Sequence, residues 1–505
     1  MTEMLRRLRS GESGIAMVQL ALSAVVIMLF TAFAVDLGWF FFNANKIQRA
    51  ADAAALAGVV YMPDESPIGV DRAERVAAAN GYTDGDDGAV LTVVPKPDGK
   101  QNQLEVTVAD TVDTFFLKVI GRDTQTIART GRAEYIKPLP MGSPQSRFGN
   151  DGSDGIDCNG PDPCFWANIH GTYTNNQMGD AFSSACEYGT GYGGGPPCAP
   201  SQYHRTSRGY VYSVDHGGGG FAVQVQNGAF ERYPGDGNPV RAGDNYEWCQ
   251  VACPDGPVTV FSVYRPDPTP LTLDPAGKVC EFRFDPVDSI APPPPAVYDP
   301  AADTSYSWTT VCAVAAPEPG LYTVDVQIDD DGVDAADDAG LNRYSIRATG
   351  GATLSALGDM SIYNNIAGDT EFFLAKVDDV YAGRTFVVEL YDPGDAGGPS
   401  NRIKLLGPSG ATWNGGCTIT KREHNTADFA AFDSIGAGDG CEIDATRTKN
   451  DFNGDWLRIE INLPESYTCA SCWWKIRYEY VGTTTDTTTW RAYISGSPVR
   501  LVLGG

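Results

Sequence analysis

Twelve cysteines are the residues of this chain with the most evident chemistry, and none lies within the first 157 residues. Their number is even and their spacings are loop-like, which is typical of a disulfide framework in an oxidising compartment. We expect six disulfides between cysteines that are neighbours in the sequence. The pair Cys469 and Cys472 has a spacing that zinc binding or redox chemistry would also fit. The other ten are Cys158, Cys164, Cys186, Cys198, Cys249, Cys253, Cys280, Cys312, Cys417 and Cys441.

A run of aspartates is the best candidate for a metal site. Asp329, Asp330, Asp331 and Asp334 follow a predicted strand, and calcium prefers several carboxylates on a flexible loop. The register of an EF-hand fails, because Gln327 would be its first ligand. The alternative is a solvated acidic loop, so we expect no cofactor other than, at this loop, calcium. A weaker acidic group consists of Asp151, Asp154 and Asp157.

Residues arranged for catalysis are not evident. The chain has four histidines, and none belongs to a His-Glu-x-x-His motif. Residues 407–411 resemble a nucleophile elbow, but they lie in a predicted β-hairpin region, which indicates a turn. Residues 189–194 match a nucleotide-binding glycine motif by letter but have no helix after them. We therefore predict a protein that is not an enzyme, with an anchored extracellular hydrolase as the alternative.

Aromatic side chains raise the alternative of glycan binding, because exposed rings can stack on sugars. Trp166, Trp248 and Trp413 lie in predicted loops and are the candidates for this role. Most other aromatic residues fall within alternating strands, where core packing is the default. A surface adhesin that binds glycan or protein is therefore a second hypothesis for the function.

The net charge limits the partners of the main body. A formal charge of −27 repels nucleic acid and anionic lipid, so we expect no nucleic-acid partner. The same acidity suits a soluble exported domain. An apolar fraction of 42% is typical of a folded rather than a disordered chain.

The N-terminal segment predicts a membrane anchor. Residues 15–35 are uncharged and, at 1.5 Å per residue, span about 32 Å as a helix, enough to cross a bilayer. Arg6, Arg7 and Arg9 precede the span within residues 1–14, so the positive-inside rule places the N-terminus in the cytoplasm and the bulk of the chain outside. Aromatic residues 39–42 suit the membrane interface. A signal peptide cleaved near Ala34 is the alternative.

The helical pattern continues beyond the span into an alanine-rich stretch. Ala50, Ala54 and Gly58 are spaced four apart, on one face, where small residues allow another helix to approach closely. One interpretation is packing against the protein's own domain. The other is helix–helix assembly with a partner.

Two stretches carry a resemblance to a known family. Residues 34–38 read Ala-Val-Asp-Leu-Gly, and residues 48–58 read Gln-Arg-Ala-Ala-Asp-Ala-Ala-Ala-Leu-Ala-Gly. Together with the basic start and the apolar span, they resemble the N-terminal region of TadG-like Flp pilus-assembly proteins. The resemblance implies a membrane-anchored, pilin-like component of an adhesive pilus or related secretion system, with other pilus-assembly or cell-envelope proteins as partners.

One departure from related pilin-like families concerns processing. Those families carry a glycine followed five residues later by a glutamate, and a peptidase cuts after the glycine. Here Gly14 is followed by Ile15, and Gln19 stands at the glutamate position. We therefore expect the chain to remain an anchor rather than to polymerise as a major pilin.

The remaining sequence predicts a mainly β, α+β fold. Residues 36–140 form a small α+β domain in which 71–81 and 112–120 are helical, and 141–163 form a linker loop. Beyond it the apolar residues alternate with a period of two, as in residues 322–328, 457–463 and 474–480, which indicates antiparallel, jelly-roll-like β-sandwiches. Similar segments at 221 and 386 suggest two related sandwich regions, 164–316 and 317–505. The prolines of 292–295 form either a stiff linker or a long surface loop inside one sandwich.

These features together predict a membrane-anchored, extracytoplasmic structural or interaction component of a Flp/Tad-type pilus-assembly or surface-adhesion system. The lipid bilayer is its first partner, through residues 15–35.

Overall fold

The structure is a computed structural model with two compact units, residues 1–137 with 496–505, and residues 138–495. The residues that it describes are 13–62, 66–149, 164–170, 179–181, 209–227, 258–266, 275–284, 308–328, 341–367, 369–393, 401–423, 428–431, 441–445, 452, 454–481 and 483–502.

The first unit packs two helices on one antiparallel sheet of order β1-β2-β3-β25. Alternation of apolar and polar residues explains the sheet: along β2, Leu104, Val106 and Val108 are buried and the residues between them are not. Gly81, in the left-handed conformation with φ of 91°, follows the end of α2. The elements are α1 (Ser13–Val59), α2 (Ser66–Ala79), β1 (Val90–Pro95), β2 (Gln103–Asp113), β3 (Thr124–Tyr135), β25 (Val499–Leu501), and 3₁₀ turns at Pro97–Gly99 and Leu117–Ile120.

Two local predictions for this unit need correction. Residues 112–120 do not form one helix, because β2 continues to Asp113 by pairing with β3, and only Leu117–Ile120 form a 3₁₀ turn. The unit predicted to end at 140 also includes the C-terminal strand β25, which pairs with β3. The predicted β-sandwich region therefore does not extend to residue 505.

The second unit contains two large antiparallel sheets. One has the order β10-β9-β12-β7-β14-β4-β16-β23-β18-β21, and the other β11-β8-β13-β6-β15-β24-β17-β22-β19-β20, with β5 beside β13. The strands are β4 (Pro140–Met141), β5 (Arg147–Phe148), β6 (Cys164–His170), β7 (Tyr210–Asp215), β8 (Phe221–Asn227), β9 (Thr259–Tyr264), β10 (Lys278–Phe284), β11 (Thr309–Val314), β12 (Tyr322–Ile328), β13 (Leu341–Thr349), β14 (Thr353–Leu357), β15 (Asp359–Ala367), β16 (Thr370–Lys376), β17 (Thr385–Tyr391), β18 (Arg402–Leu406), β19 (Thr418–Arg422), β20 (Ala430–Ala431), β21 (Glu442–Asp444), β22 (Trp456–Asn462), β23 (Trp473–Glu479) and β24 (Thr483–Ile494). Short 3₁₀ turns lie at Pro275–Gly277 and Asp379–Tyr381.

The strand orders define two jelly rolls in tandem. In the first, β6 to β13 divide into the four-strand orders β11-β8-β13-β6 and β10-β9-β12-β7. In the second, β15, β16, β17, β18, β21, β22, β23 and β24 divide into β22-β17-β24-β15 and β21-β18-β23-β16. Counted in chain order, both have the arrangement 6-3-8-1 over 5-4-7-2, the pattern of a jelly roll with eight strands. The segments at 221 and 386 that resemble each other are the third strands, β8 and β17, of the two jelly rolls.

The boundary predicted between residues 316 and 317 is wrong. Strands β12 and β13, which lie after it, pair with β7, β9, β8 and β6 of the first jelly roll. The boundary falls instead between β13 and β15, since β15 is the first strand of the second jelly roll. The supposed linker, 141–163, likewise contributes β4 and β5 to the sheets, and residues 150–163 lie outside the described residues.

The two jelly rolls share both sheets edge to edge. Their first strands, β6 and β15, are antiparallel neighbours. In the other sheet, β14 and β4 bridge β7 to β16. The second unit is therefore a continuous double sandwich rather than two separate domains joined by a linker.

Each jelly roll has a disulfide that joins its two sheets. Cys280 of β10 is bonded to Cys312 of β11, and these strands belong to opposite sheets. Cys417, directly before β19, is bonded to Cys441, directly before β21, again across the sheets. Cys469 and Cys472 form a third, local disulfide. The other cysteines, Cys158, Cys186, Cys198, Cys249 and Cys253, together with the side chain of Cys164, lie outside the described residues.

Candidate functional site

Helix α1 has two halves with opposite surroundings. Large apolar side chains in its first half are exposed to solvent, including Leu20 and Phe30, each 72% exposed. The helix is long and apolar enough to cross a membrane, by length and composition. In its second half, Ile47, Ala51 and further small residues are fully buried in the core of the first unit. One unbroken helix thus serves as apolar span and as part of a folded core.

Asp36 marks the change between these halves. It follows the uncharged run directly and is only 5% exposed. Its Oδ1 accepts a hydrogen bond from the backbone N–H of Phe115 at 2.8 Å, and its Oδ2 accepts from Phe116 at 2.9 Å and Leu117 at 2.7 Å. Hydrogen bonds to an ionised acceptor are stronger than neutral ones, so the carboxylate ties the β2–β3 loop to the end of the span.

Sequence reasoning missed this role of Asp36, although the residue stands in the Ala-Val-Asp-Leu-Gly stretch. The available signal is a single acidic residue placed directly after a long apolar run. Its partners lie about eighty positions away in the chain, at 115–117, so no local pattern announces them.

Aromatic rings surround the same junction. The ring of Trp39 meets that of Phe115 edge-on, with centroids 5.5 Å apart, and stacks on Phe42 at 5.6 Å. Trp39, Phe41 and Phe42 are 38–56% exposed. Amphipathic or bulky rings at the end of an apolar span are typical of a membrane–water interface.

The small residues predicted to pack helices are buried within the first unit itself. Ala50 is 2% exposed and Ala54 is 0% exposed. A Cβ added to Gly58 would lie 2.5 Å from Cδ2 of Leu104 and closer still to the carbonyl oxygen of Gly69 in α2. The structure therefore uses this face for contact between α1, α2 and the sheet, and leaves none of it open to a partner.

The sheet approaches α1 as closely as α2 does. A Cβ added to Gly131 of β3 would lie 2.7 Å from backbone atoms of Ala51 and Asp52. Gln48 supports this contact, since its Nε2 donates to the carbonyl of Thr130 at 3.0 Å and to Oδ1 of Asp52 at 2.9 Å. The conspicuous glutamine and aspartate of the 48–58 stretch thus hold the helix on its own sheet.

A second polar cluster covers one face of the second jelly roll. Glu389 of β17, 3% exposed, accepts from Nε of Arg458 at 2.8 Å and from the hydroxyl of Tyr493 at 3.0 Å. Arg491 lies 3.7 Å from Glu389 and donates to Asp359 at 2.8 Å. The carboxylates are matched by cations on neighbouring strands, as a structural ion network requires.

The pKa shifts in this cluster follow from burial and charge. Burial, with the negative charge of Glu389, raises the pKa of Tyr493 to about 12. Burial also lowers the pKa of Arg422. The positive charges of Arg491 and Arg458 lower this pKa further, whereas the negative charge of Glu389 raises it. The Arg422 guanidinium lies over Phe429, 5.0 Å from the ring centroid, so aromatic faces supply part of its solvation.

The acidic residues predicted to bind metal are not among those that the structure describes. Asp329, Asp330, Asp331 and Asp334 lie outside the described residues, as do Asp151, Asp154 and Asp157. Among the residues that are described, no three His, Cys, Asp or Glu side chains are grouped so that they could hold a metal ion. Calcium at the 329–334 loop stays a prediction.

His216 and residues 407–411, two of the features considered for catalysis, have structural roles. His216 is 7% exposed; its Nδ1 accepts from the N–H of Gly218 at 3.0 Å, so its Nε2 donates to the carbonyl of Glu318 at 3.0 Å. Residues 407–411 form a tight turn closed by a bond from Gly407 N–H to the Ala411 carbonyl at 3.0 Å. This agrees with the interpretation as a turn rather than a nucleophile elbow.

Two of the three tryptophans considered for sugar stacking can be placed, and Trp248 lies outside the described residues. Trp166 is not in a loop but in strand β6, and it is 2% exposed, so its ring cannot meet a sugar. Trp413 is half-buried, with its ring 4.9 Å from that of Trp474. Its Nε1 donates to the carbonyl of Gly416 at 3.2 Å.

A comparison with protein families matches the segment that holds this junction. Residues 16–61 match the family described as putative Flp pilus-assembly TadE/G-like. The match spans α1 and the turn after it, and includes both Asp36 and the buried alanines. No curated protein matches the chain.

The class of protein follows from helix and match together. The chain carries a Tad-type segment on an apolar helix able to cross a membrane, which supports a membrane protein related to Flp pilus assembly. The β-rich remainder, the double jelly roll, lies beyond the matched residues.

Proposed function

We propose that this protein is a single-pass, membrane-anchored structural or interaction component of a Flp/Tad-type pilus-assembly or surface-adhesion system, with its bulk outside the cytoplasm. The observation that carries the proposal is the continuity of α1. Its exposed apolar half suits lipid, and its second half is the core of a folded domain within the Tad-type match.

The orientation is supported by charge and by cysteine chemistry. Arg6, Arg7 and Arg9 precede the span, which favours a cytoplasmic N-terminus. Three disulfides in the second unit favour an oxidising compartment for the C-terminal bulk. Both arguments point to the same side of the membrane.

The rigid connection suggests what the anchor does for the system. Because the span and the first unit share one helix, the domain cannot swivel on a flexible linker at this point. The double jelly roll then offers a large folded surface to pilus or envelope proteins. No buried cluster of the described part of the chain resembles a catalytic site, so binding rather than catalysis is the role that we propose.

The test is genetic and uses the full chain. Deletion in the native bacterium is expected to abolish or reduce surface pili counted by electron microscopy, and the intact gene should restore them. A matched variant in which residues 1–35 are replaced by a cleavable signal peptide should release the protein and fail to restore pili. Normal pili with lost surface attachment would instead favour the adhesin, and normal pili with normal attachment would reject the proposal.

A further inference from the structure

The loop between β2 and β3 exposes an unusual group of large apolar side chains. Phe115 and Phe116 are each 48% exposed, Ile120 is 74% exposed and Val119 is 83% exposed. Four such residues within six positions form a contiguous apolar surface, which in a soluble domain is unfavourable and marks a site of interaction.

The loop is held in one conformation, so this exposure is a built feature. The hydroxyl of Thr114 donates to the carbonyl of Arg122 at 2.5 Å, and the Thr114 N–H donates to the carbonyl of Asp123 at 3.0 Å, which closes the base of the loop. Within it, the N–H of Val119 donates to the carbonyl of Phe116 at 3.1 Å. These bonds and those to Asp36 pair the backbone N–H groups of residues 114–117 and 119, while the apolar side chains stay exposed.

The height of the loop relative to the span is fixed by Asp36. The carboxylate of Asp36 accepts three backbone N–H groups of the loop and lies one residue beyond the apolar run that ends at Val35. Trp39, three residues further on and about 4.5 Å along the helix, contacts Phe115. The loop is therefore level with the end of the span, where bilayer meets water.

We propose that residues 115–120 insert into the surface of the same bilayer that α1 crosses, as a second and peripheral membrane contact. Phe33 of the exposed apolar half of α1 and Leu117 of the loop line one cleft, and Trp39 contacts Phe115. The apolar surfaces of helix and loop therefore adjoin, which argues for lipid as the occupant. Lys118 and Arg122 flank the apolar tip, where cations interact with lipid phosphates.

This contact has a mechanical consequence. A single helix leaves the attached domain free to rotate about the helix axis and to tilt with it. A second contact beside the helix, tied to it by Asp36, fixes which face of the first unit meets the membrane.

The experiment is photocrosslinking with the full chain in vesicles of phosphatidylethanolamine and phosphatidylglycerol. A benzophenone amino acid replaces Val119, and matched variants carry it at Phe30 within the span and at Val90, a 54% exposed residue of β1 in the same unit. Mass spectrometry then detects lipid adducts. We expect lipid adducts at positions 119 and 30 and no adduct at position 90.

Each other pattern decides against the inference. Adducts at position 30 but not at 119 overturn insertion of the loop and leave the anchor intact. Absence at both positions overturns the anchor as well, so the two failures are distinguishable. Crosslinks from position 119 to a second copy of the chain would assign the apolar loop to self-association instead.

A second variant tests the role of Asp36 through the same readout. Asp36→Ala removes the acceptor of the three N–H groups and should lower the lipid adduct at position 119 while leaving that at position 30 unchanged. An unchanged adduct at 119 would mean that the loop holds its depth without Asp36, which contradicts the proposed positioning.

Discussion

At the scale of single residues, two carboxylates show how acidic side chains are kept inside a strongly acidic protein. Asp36 is held by backbone N–H groups and Glu389 by the side chains of Arg458, Arg491 and Tyr493. The partners satisfy the oxygens of each carboxylate, so neither buried acceptor is left without a hydrogen bond or an ion pair.

Replacing Glu389 by Gln tests the network in the second jelly roll. The variant leaves Arg458 with a neutral partner at a buried acceptor, while Arg491 keeps its pair with Asp359. Breaking a buried pair of this kind typically costs about 3–5 kcal/mol. We expect a lower denaturation midpoint for the full chain in detergent, and faster amide hydrogen exchange in β17 and β22. Glu371→Gln is the matched control, since Glu371 pairs with Lys475 and Arg477 at a half-exposed site where about 0–1 kcal/mol is expected. Equal effects of the two variants would contradict the account.

These residue roles could not be predicted from the sequence, whereas three of the six predicted cysteine pairs are confirmed, and the other three stay a prediction. Cysteine spacing carries information about compartment and loops by itself. Arg458 and Tyr493, the partners of Glu389, lie 69 and 104 positions away from it in the sequence, and only the sheet register brings them together. The same limit applied to Asp36.

At the scale of elements, the face of α1 that carries small residues allows the helix to pack closely on α2 and on the sheet. Gly58 lets the carbonyl of Gly69 and the side chain of Leu104 approach, and Gly131 lets β3 lie directly against the helix backbone. Larger side chains at these positions would separate the helix from its sheet. The Ala-rich sequence is thus explained by packing within the unit rather than by a partner helix.

Substitution of Gly58 tests this packing. Gly58→Val places methyl groups where no space exists, and overpacking of this kind costs about 1–3 kcal/mol. We expect hydrogen exchange to rise in α2 and β2 of the full chain. Gly38→Val is the matched control on the same helix, since a Cβ there meets nothing within 4 Å. An unperturbed Gly58→Val protein would show that the contact is not tight in solution.

Elements were predictable where periodicity was strong and unpredictable where pairing is distant. The alternating runs at 322–328, 457–463 and 474–480 correspond to β12, β22 and β23. The boundary at 317 failed because a jelly roll pairs strands that are distant in sequence. Strands β12 and β13 follow that boundary but pair with β7, β9, β6 and β8, which precede it. Local alternation of apolar and polar residues predicts a strand but does not predict which strand it pairs with.

The disulfides between the sheets yield a prediction for these elements. Replacing Cys280 and Cys312 together by Ala opens a loop with a sequence separation of 32, and the chain-entropy relation gives a loss of about 3–4 kcal/mol. The measurement is the denaturation midpoint of the full chain, with hydrogen exchange locating the change in β10 and β11. The same double replacement of Cys469 and Cys472, whose separation is 3, is the control and should cost less. A larger loss of stability in the control variant would contradict the stabilising role of the disulfide between the sheets.

At the scale of the whole molecule, the chain enters and leaves the large unit through the small one. It passes into the double jelly roll after Lys137 and returns at Gly496, where β25 completes the sheet beside β3. Arg500 donates to the buried carboxylate of Glu134 at 2.9 and 3.0 Å. The first unit therefore contains chain segments from both sides of the large unit in the sequence.

Truncation after Ser495 tests this closure. It removes the pairing of β25 with Tyr135, Glu134 and Ala133 and the ion pair of Arg500. We expect faster hydrogen exchange in β3 of the full chain in detergent, with β17 and β22 unchanged. Deletion of residues 503–505 alone keeps β25 and is the control. Unchanged exchange in β3 after the longer truncation would show that the C-terminal strand does not stabilise the first unit.

The measurement that tests the central claim most directly is protease treatment of the outer face of the membrane, followed by carbonate extraction, with an antibody to the C-terminal region. The account predicts that the untreated protein stays in the membrane after carbonate, and that protease added outside releases disulfide-bonded fragments of residues 138–495. Release into the medium of a chain that is cut near Ala34 and otherwise whole would contradict the account. The span would then be a signal peptide, and the protein would not be anchored.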